Sequence, residues 1–347
     1  MGNNHSSAAY NGLKMFRSKS DRPIPPTFLK SVNESQTGSA VVATAVNADS
    51  ASSVANSEAL FWHPRDNDTE REYHSVANSE YVMPSDMKEQ NRLEFQHNMV
   101  KILFGNDILC PEARRIVKRK GAKVLDVGCA AGAWLDAVFV FNSDAEYHGC
   151  DIATDLLDWP VAKCVFGNVL EGLPYEDDTF DYVHQRFLVS AIPKDKWPAV
   201  VAELIRVTKS GGWIELVEAD VVAHRPSPAY QKVWGAFTAM LTAKGMDVNA
   251  GSNLGTIILA GEKVSPSQVS DIKTRTCSLP INWDGKLGHM AGIDIGWAME
   301  GMRPFLPKVI GVEPEEYDAL VKTAIEEGKR YKTFGNMSYA YFQVIKE

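Results

Sequence analysis

The sequence predicts an α/β fold: a seven-stranded, mostly parallel sheet with helices on both faces, an N-terminal helical cap and a helical insertion before the last strand. Three observations predict it. Short apolar runs recur from Lys123 onward. Most intervals between them are a dozen residues or longer, which suits crossover connections and not hairpins. Between the fourth and fifth runs the apolar residues at 197, 200, 201, 204, 205 and 207 follow a helical period. Short apolar strands separated by helices imply a parallel sheet covered on both faces.

In chain order, the strands are read at 123–127, 147–150, 164–166, 180–184 and 213–217. Glycines and an apolar helix over 134–141 follow the first strand, and 197–207 is the helix before the fifth. Ser210-Gly211-Gly212 is read as the turn into that strand. Beyond it, 230–241 is amphipathic, 253–261 reads as a helix and 269–279 alternates as a strand. Trp297 begins a short helix that Pro304 and Pro307 end or kink. The segment 314–331 is a helix with proline in its first turn, where it is tolerated. Residues 339–345 alternate and close the sheet. This divides the chain into a disordered tail, 1–68, and a folded domain, 69–347. The domain has a core over 110–280 and 336–347, with 81–105 and 282–332 as lids.

Composition bounds what the domain does. The chain has 347 residues, 45% hydrophobic and 23% charged, the balance of a soluble globular protein. Its longest apolar stretches, such as 137–141, fall far short of the roughly 20 residues of a membrane span. A formal net charge of −8 argues against general nucleic-acid binding, which relies on phosphate neutralisation. Five cysteines with no C-x-x-C spacing exclude zinc ribbons and thioredoxin-type sites. Cys129, Cys150 and Cys164 end apolar runs, where a free thiol behaves as a small hydrophobe. That usage predicts a reducing, intracellular compartment, cytoplasmic or nuclear. The eight histidines show no metal-ligand clustering, and no metal is expected.

The tail is rich in Ser, Asn and Ala and too poor in large apolar residues to offset its ordering entropy. It has no apolar core of the kind a secretory signal needs. Met1-Gly2-Asn3-Asn4-His5-Ser6 fits the N-myristoylation pattern, and Lys14, Arg17, Lys19 and Arg22 would supply the second signal a single acyl chain requires. This implies peripheral membrane contact through an acylated Gly2, against a chance match in a Ser-rich tail. The same basic cluster is alternatively a weak nuclear address. The hexapeptide Ser-Val-Ala-Asn-Ser-Glu occurs at 53–58 and again at 75–80, a local duplication.

The run Val124-Leu125-Asp126-Val127-Gly128-Cys129-Ala130-Ala131-Gly132 carries the chemistry. Gly128 and Gly132 allow a ligand close to the main chain, and the following helix offers free N–H groups. In parallel α/β sheets, ligands bind at the carboxyl ends of strands where the strand order reverses. Ala130 and Ala133 stand where a dinucleotide fingerprint needs glycines, so that reading fails. Asp126 would repel a pyrophosphate but suits a cationic amine. Asp151, at the end of the second strand, suits both hydroxyls of a ribose. Asn168 can accept from an exocyclic amine, and the Val169 N–H can donate to a ring nitrogen. Together these describe an adenosine with an amino-acid tail.

On these residues the sequence resembles the class I S-adenosylmethionine-dependent methyltransferases, which share a Rossmann-like fold. The match runs in order from about 123 to 220. It takes in the glycine turn, Gly149-Cys150-Asp151, Gly167-Asn168, Gly172-Leu173-Pro174-Tyr175-Glu176-Asp177-Asp178-Thr179-Phe180-Asp181, and Leu204 to Gly212. Tyr81-Val82-Met83-Pro84-Ser85-Asp86, Glu89, Arg92-Leu93, Gln96-His97 and Phe180 to Arg186 resemble the fungal LaeA-like subgroup. Ala130 departs from the family's middle glycine, and Asn168 from its usual Asp. The resemblance implies S-adenosyl-L-methionine as cofactor, held by Asp126, Gly128, Cys129, Ala130, Gly132, Asp151, Ile152, Asn168, Val169 and Gln185.

Methyl transfer from a sulfonium is an in-line displacement in which the cofactor carries the activation and the protein supplies position. A general base is needed only for a protonated acceptor, so no catalytic residue is read. Tyr81, His97 and Arg186 are the candidates for contact with the acceptor. His97 is otherwise a satisfied helix histidine, and Arg186 a salt-bridge partner. Glu218 either caps the site or faces a helix. Trp283, Met290, Trp297, Met299, Met302 and Phe305 would line an apolar acceptor pocket or pack a helix on the sheet. The acceptor is read as a small molecule, with a protein acceptor of a LaeA-like regulator as the alternative.

Overall fold

The computed structural model describes residues 71–73, 81–140, 142–153, 162–260 and 269–347. The tail, the Gly2 motif, the basic cluster and both hexapeptide copies lie outside the described residues. The elements are α1 (Met87–Phe104), α2 (Ala113–Ile116), β1 (Lys123–Val127), α3 (Ala133–Phe139), β2 (Glu146–Asp151), β3 (Ala162–Phe166), β4 (Phe180–Arg186), α4 (Trp197–Val207), β5 (Thr208–Ala219), α5 (Pro228–Ala243), α6 (Ala250–Leu259), β6 (Lys273–Pro280), α7 (Gly285–Gly301), α8 (Leu306–Ile310), α9 (Pro314–Tyr331) and β7 (Phe334–Gln343).

One seven-stranded sheet runs in the order β3-β2-β1-β4-β5-β7-β6. β3 through β5 are joined by parallel pairings, and β7 pairs antiparallel with both β5 and β6. The sequence-derived class is therefore correct, with β7 as the antiparallel strand. β2 and β4 flank β1 on opposite sides, so the direction of winding reverses there and leaves a crevice at the carboxyl ends of β1 and β4. Strand alternation fills both faces. Leu125, Val127, Val183, Ile214 and Leu216 pack with α4, α5 and α6. Val124 and Tyr182 pack against Trp134, Leu135 and Val138 of α3.

Four elements differ from their sequence reading. The helix expected to begin at Trp297 spans Gly285–Gly301. Its glycines disguised it, yet two are packing requirements: a Cβ on Gly288 would lie 1.5 Å from the Trp283 carbonyl oxygen, and one on Gly292 2.7 Å from Asn282 Cβ. Ser210-Gly211-Gly212 does not precede β5 but lies inside it. The pairing with β4 shifts register between Phe180 and Tyr182, and Gly211 takes φ +81° at that irregularity. The strand expected over 269–279 starts at Lys273, with Val269 making only an isolated bridge to Val344. The closing strand begins at Phe334, earlier than its alternation suggested.

The segments 81–105 and 282–332 meet. α1 begins at Asp86, whose carboxylate accepts the Glu89 N–H at 3.0 Å and pairs with Arg71. On its buried face Arg92 lies between two acids. Nη2 donates to Glu89 at 2.6 Å and Nη1 to Asp294 of α7 at 2.8 Å, while Gln96 donates to the other Asp294 oxygen at 3.1 Å. The aromatic and methionine residues of 282–332 settle on packing. Met299 and Met302 are fully buried in the main core, Trp297 stacks edge-on against Phe95 at 5.1 Å, and Trp283 donates to the Thr333 carbonyl.

Candidate active site

The crevice is built on a turn that needs left-handed backbone at three places. Gly128 (φ +73°), Ala130 (φ +45°) and Gly132 (φ +80°) bend the chain from β1 into α3. A Cβ on Gly128 would also come 2.8 Å from the Leu188 side-chain tip, which would have to shift. Ala130 is the departure seen in the sequence, and here it has a physical cost. An L-residue in the left-handed region loses roughly 1–2 kcal/mol, and glycine's extra freedom when unfolded returns about 0.4–1 of that. Ala130→Gly is expected to stabilise the chain by roughly 0.5–1 kcal/mol and to tighten cofactor binding. Denaturant unfolding and calorimetry check this; a less stable variant would show that the strain is absent.

Asp151 fastens this turn to β2. Its Oδ2 accepts the Ala130 N–H at 2.8 Å and its Oδ1 accepts the Ala153 N–H at 2.8 Å. A carboxylate has about four lone-pair sites, so two remain for hydroxyls. Burial raises the Asp151 pKa, and those two N–H groups oppose the shift. Ile152 follows in the same half-buried bend. Asn168 is buried, but its Oδ1 accepts the Leu170 N–H at 3.1 Å, closing an Asx turn. That oxygen is thus partly committed, while the Val169 N–H finds no acceptor among the described residues.

On the face of the sheet toward α3, a polar row crosses three strands. Asp126, His184 and Glu215 are register partners on β1, β4 and β5, and all are buried. His184 Nδ1 meets Asp126 Oδ1 at 2.7 Å, and its ring stacks on Trp134 with centroids 4.0 Å apart. The second Asp126 oxygen has no partner among the described residues. Glu215 accepts the N–H groups of Leu109 and Cys110, anchoring the segment ahead of α2. On the opposite face Gln185 is completely buried, and neither atom of its amide has a hydrogen bond among the described residues. An orphaned amide at the end of β4 is costly unless a ligand satisfies it.

The acceptor candidates gather at the same strand end. Arg186 Nη1 meets His97 Nδ1 at 3.1 Å. A guanidinium only donates, so His97 carries its proton on Nε2, facing Asp107 Oδ1 at 3.3 Å. Asp107 also pairs with Lys101 at 2.7 Å. Tyr81 is half-buried, and the surroundings of its phenol, which include Asp151 and Glu89, push its pKa above the ordinary range. Glu218 does not cap the cleft directly. It is fully buried and accepts the N–H groups of Leu188 and Val189, fixing the loop after β4. Asp107 and the Asp126–His184 pairing were not legible in the sequence. The spacing of Asp126 and His184 within their strands was the available signal, since both precede the strand ends by a residue or two.

Burial lowers the His97 pKa from its ordinary 6.5. Below that value the unfolded chain takes up a proton that the folded chain resists, so stability falls as pH drops through the mid-sixes. His97→Gln is expected to shrink the fall in Tm between about pH 7.5 and pH 5.5. An unchanged slope in a thermal scan would place that titration elsewhere.

Fold and crevice together define an α/β protein built for a nucleoside with a cationic tail. Residues 124–212 match the family described as a methyltransferase domain. The chain is 26% identical over 266 residues to the N-methyltransferase sirN of Leptosphaeria maculans, covering 75% of this chain and 92% of that protein. It is 32% identical over 146 residues to the secondary metabolism regulator laeA of Coprinopsis cinerea, covering 40% and 36%. Among solved structures, it resembles phosphoethanolamine N-methyltransferase 2 of Haemonchus contortus in complex with S-adenosyl-L-methionine. That likeness is 15% identical with a TM-score of 0.44, over 73% of this chain and 57% of that one. The match places a methyltransferase domain at residues 124–212, and the similarities agree with an S-adenosyl-L-methionine-dependent methyltransferase.

The residues present fit that cofactor. Asp151 has lone pairs left for the ribose hydroxyls, and Asp126 has an open oxygen for the ammonium. The Val169 N–H and Asn168 would serve the base, and Gln185 would find in the cofactor the partner it lacks among the described residues. When bound, the cofactor supplies an activated methyl group. The protein's part is to hold its two ends and to exclude water from the strand end.

Proposed function

We propose that this methyltransferase acts on a nitrogen of a small organic molecule enclosed between the end of β4 and the paired lids. One observation carries the reading: the buried Glu89–Arg92–Asp294 cluster ties α1 to α7, and α1 reaches the end of β4 through the His97–Arg186 contact. A cleft covered in this way suits a compact acceptor better than a protein chain. Inside it, Arg186 and His97 offer hydrogen bonds and Tyr81 an apolar body with a polar tip. Orientation of acceptor and methyl donor can contribute roughly 7–11 kcal/mol to the rate, so positioning groups suffice for a neutral nitrogen. The name of the Leptosphaeria relative supports nitrogen as the acceptor atom.

The likeness to the laeA regulator favours a protein acceptor instead, but it covers only 40% of this chain. The test is to incubate the purified protein with the cofactor and two panels: small secondary amines and cyclic amides, and basic peptides. Mass spectrometry reads the gain of one methylene. Methylation in the first panel alone supports the proposal. Methylation confined to peptides overturns it in favour of the regulator.

A further inference from the structure

Beside the cofactor turn, two thiols face each other across a missing side chain. Cys129 is the second residue of the turn, and Cys164 lies on β3 in register with Gly149 of β2. A Cβ on Gly149 would be 2.8 Å from Cys129 Sγ and also 2.8 Å from Cys164 Sγ. Both sulfurs therefore border one point that glycine leaves empty, and both cysteines are free thiols. Any larger residue at 149 would hold them apart. The Cys150 sulfur borders the Gly167 position instead.

We propose that Cys129 and Cys164 form a reversible dithiol–disulfide modification site that releases the cofactor when oxidised. The oxidant is a low-molecular-weight disulfide. The two thiols differ in the sense the chemistry needs. Contact with the Cys129 thiol pulls Cys164 below the ordinary thiol range, while that contact and burial push Cys129 above it. Cys164 is half-buried on β3, the strand at one edge of the sheet, so it is the sulfur an external disulfide reaches. Its thiolate attacks the external disulfide, an S–S bond breaks, and one thiolate leaves. Cys129 then gives up its proton and attacks Cys164 Sγ, expelling the second thiolate. Two protein thiols are oxidised, one external disulfide is reduced to two thiols, and the protons pass to the leaving thiolates.

Closure brings the sulfurs to about 2.05 Å and draws Cys129 toward β3. Cys129 sits between Gly128 and Ala130, both in the left-handed region, and the Ala130 N–H is held by Asp151. The turn cannot follow Cys129 without releasing that bond. Oxidation thus displaces the main chain that binds the cofactor; this step rests on the cofactor reading above.

The experiment treats the full-length protein with oxidised glutathione and follows two readouts. Peptide mapping without reductant is expected to show a 129–164 cross-link, removed by dithiothreitol. Calorimetry is expected to show at least a tenfold weaker affinity for S-adenosyl-L-methionine, restored by reduction. Cys164→Ser should bind cofactor like the reduced protein and lose its response to the oxidant; Cys164→Ala serves if serine fails to fold. No cross-link while Cys277 is oxidised would overturn the site. A cross-link with unchanged affinity would overturn its effect on the cofactor. Reduced protein that binds no cofactor at all would instead refute the methyltransferase reading, leaving the mapping result to stand or fall by itself.

Discussion

Replacing Arg92 with leucine is expected to cost about 3–5 kcal/mol of stability, the scale for breaking a buried ion pair by removing one partner. Arg92 donates to Glu89 and Asp294, and all three side chains are almost completely inaccessible. Leucine fills much of the volume and leaves two acids without their cation. Burial already raises the Asp294 pKa in the presence of Arg92. Without it Asp294 should take up a proton on folding. A folded-state pKa raised above the unfolded one makes stability fall as pH rises, so the deficit should be larger near pH 8 than near pH 5. Urea unfolding at the two values measures this. A loss under about 1 kcal/mol would mean that the cluster is solvated in solution and that the lids are not joined through it.

Asp151→Ala should weaken S-adenosyl-L-methionine by roughly 1.5–3 kcal/mol, about ten- to 150-fold in the dissociation constant. The carboxylate has two tasks: it accepts the Ala130 and Ala153 N–H groups, and its remaining lone pairs suit the ribose. Asp151→Asn separates them, because the amide oxygen retains one acceptor while its NH2 opposes the other donor. Calorimetry with the cofactor and with its demethylated product reads the effect. An unchanged affinity in the alanine variant would end the ribose assignment.

Legibility in the sequence followed the range of the forces involved. β1 and the helix over 314–331 were found to the residue, because an apolar run or period was bounded by a clear stop or start signal. α7 was missed because five glycines lower its helix propensity, while the reason for Gly288 and Gly292 is contact with residues 282 and 283. The glycine turn and its two acids were legible as local chemistry. The Asx turn that occupies Asn168 was not inferred, although it too is local. Arg92 and Asp294 are 202 positions apart, and no periodicity connects them. The same is true of Arg186 and His97, which are separate candidates in the sequence and meet only through the fold.

The position of β7 bears on how the enzyme is made. This strand fills the slot between β5 and β6, yet it leaves the ribosome after every other strand of the sheet. Until it emerges, a nascent chain carries two open flanks, one on β5 and one on β6, each able to zip onto a neighbouring polypeptide. Premature termination upstream of Phe334 should therefore yield aggregates rather than a weakened enzyme, and chaperone demand should peak late in translation.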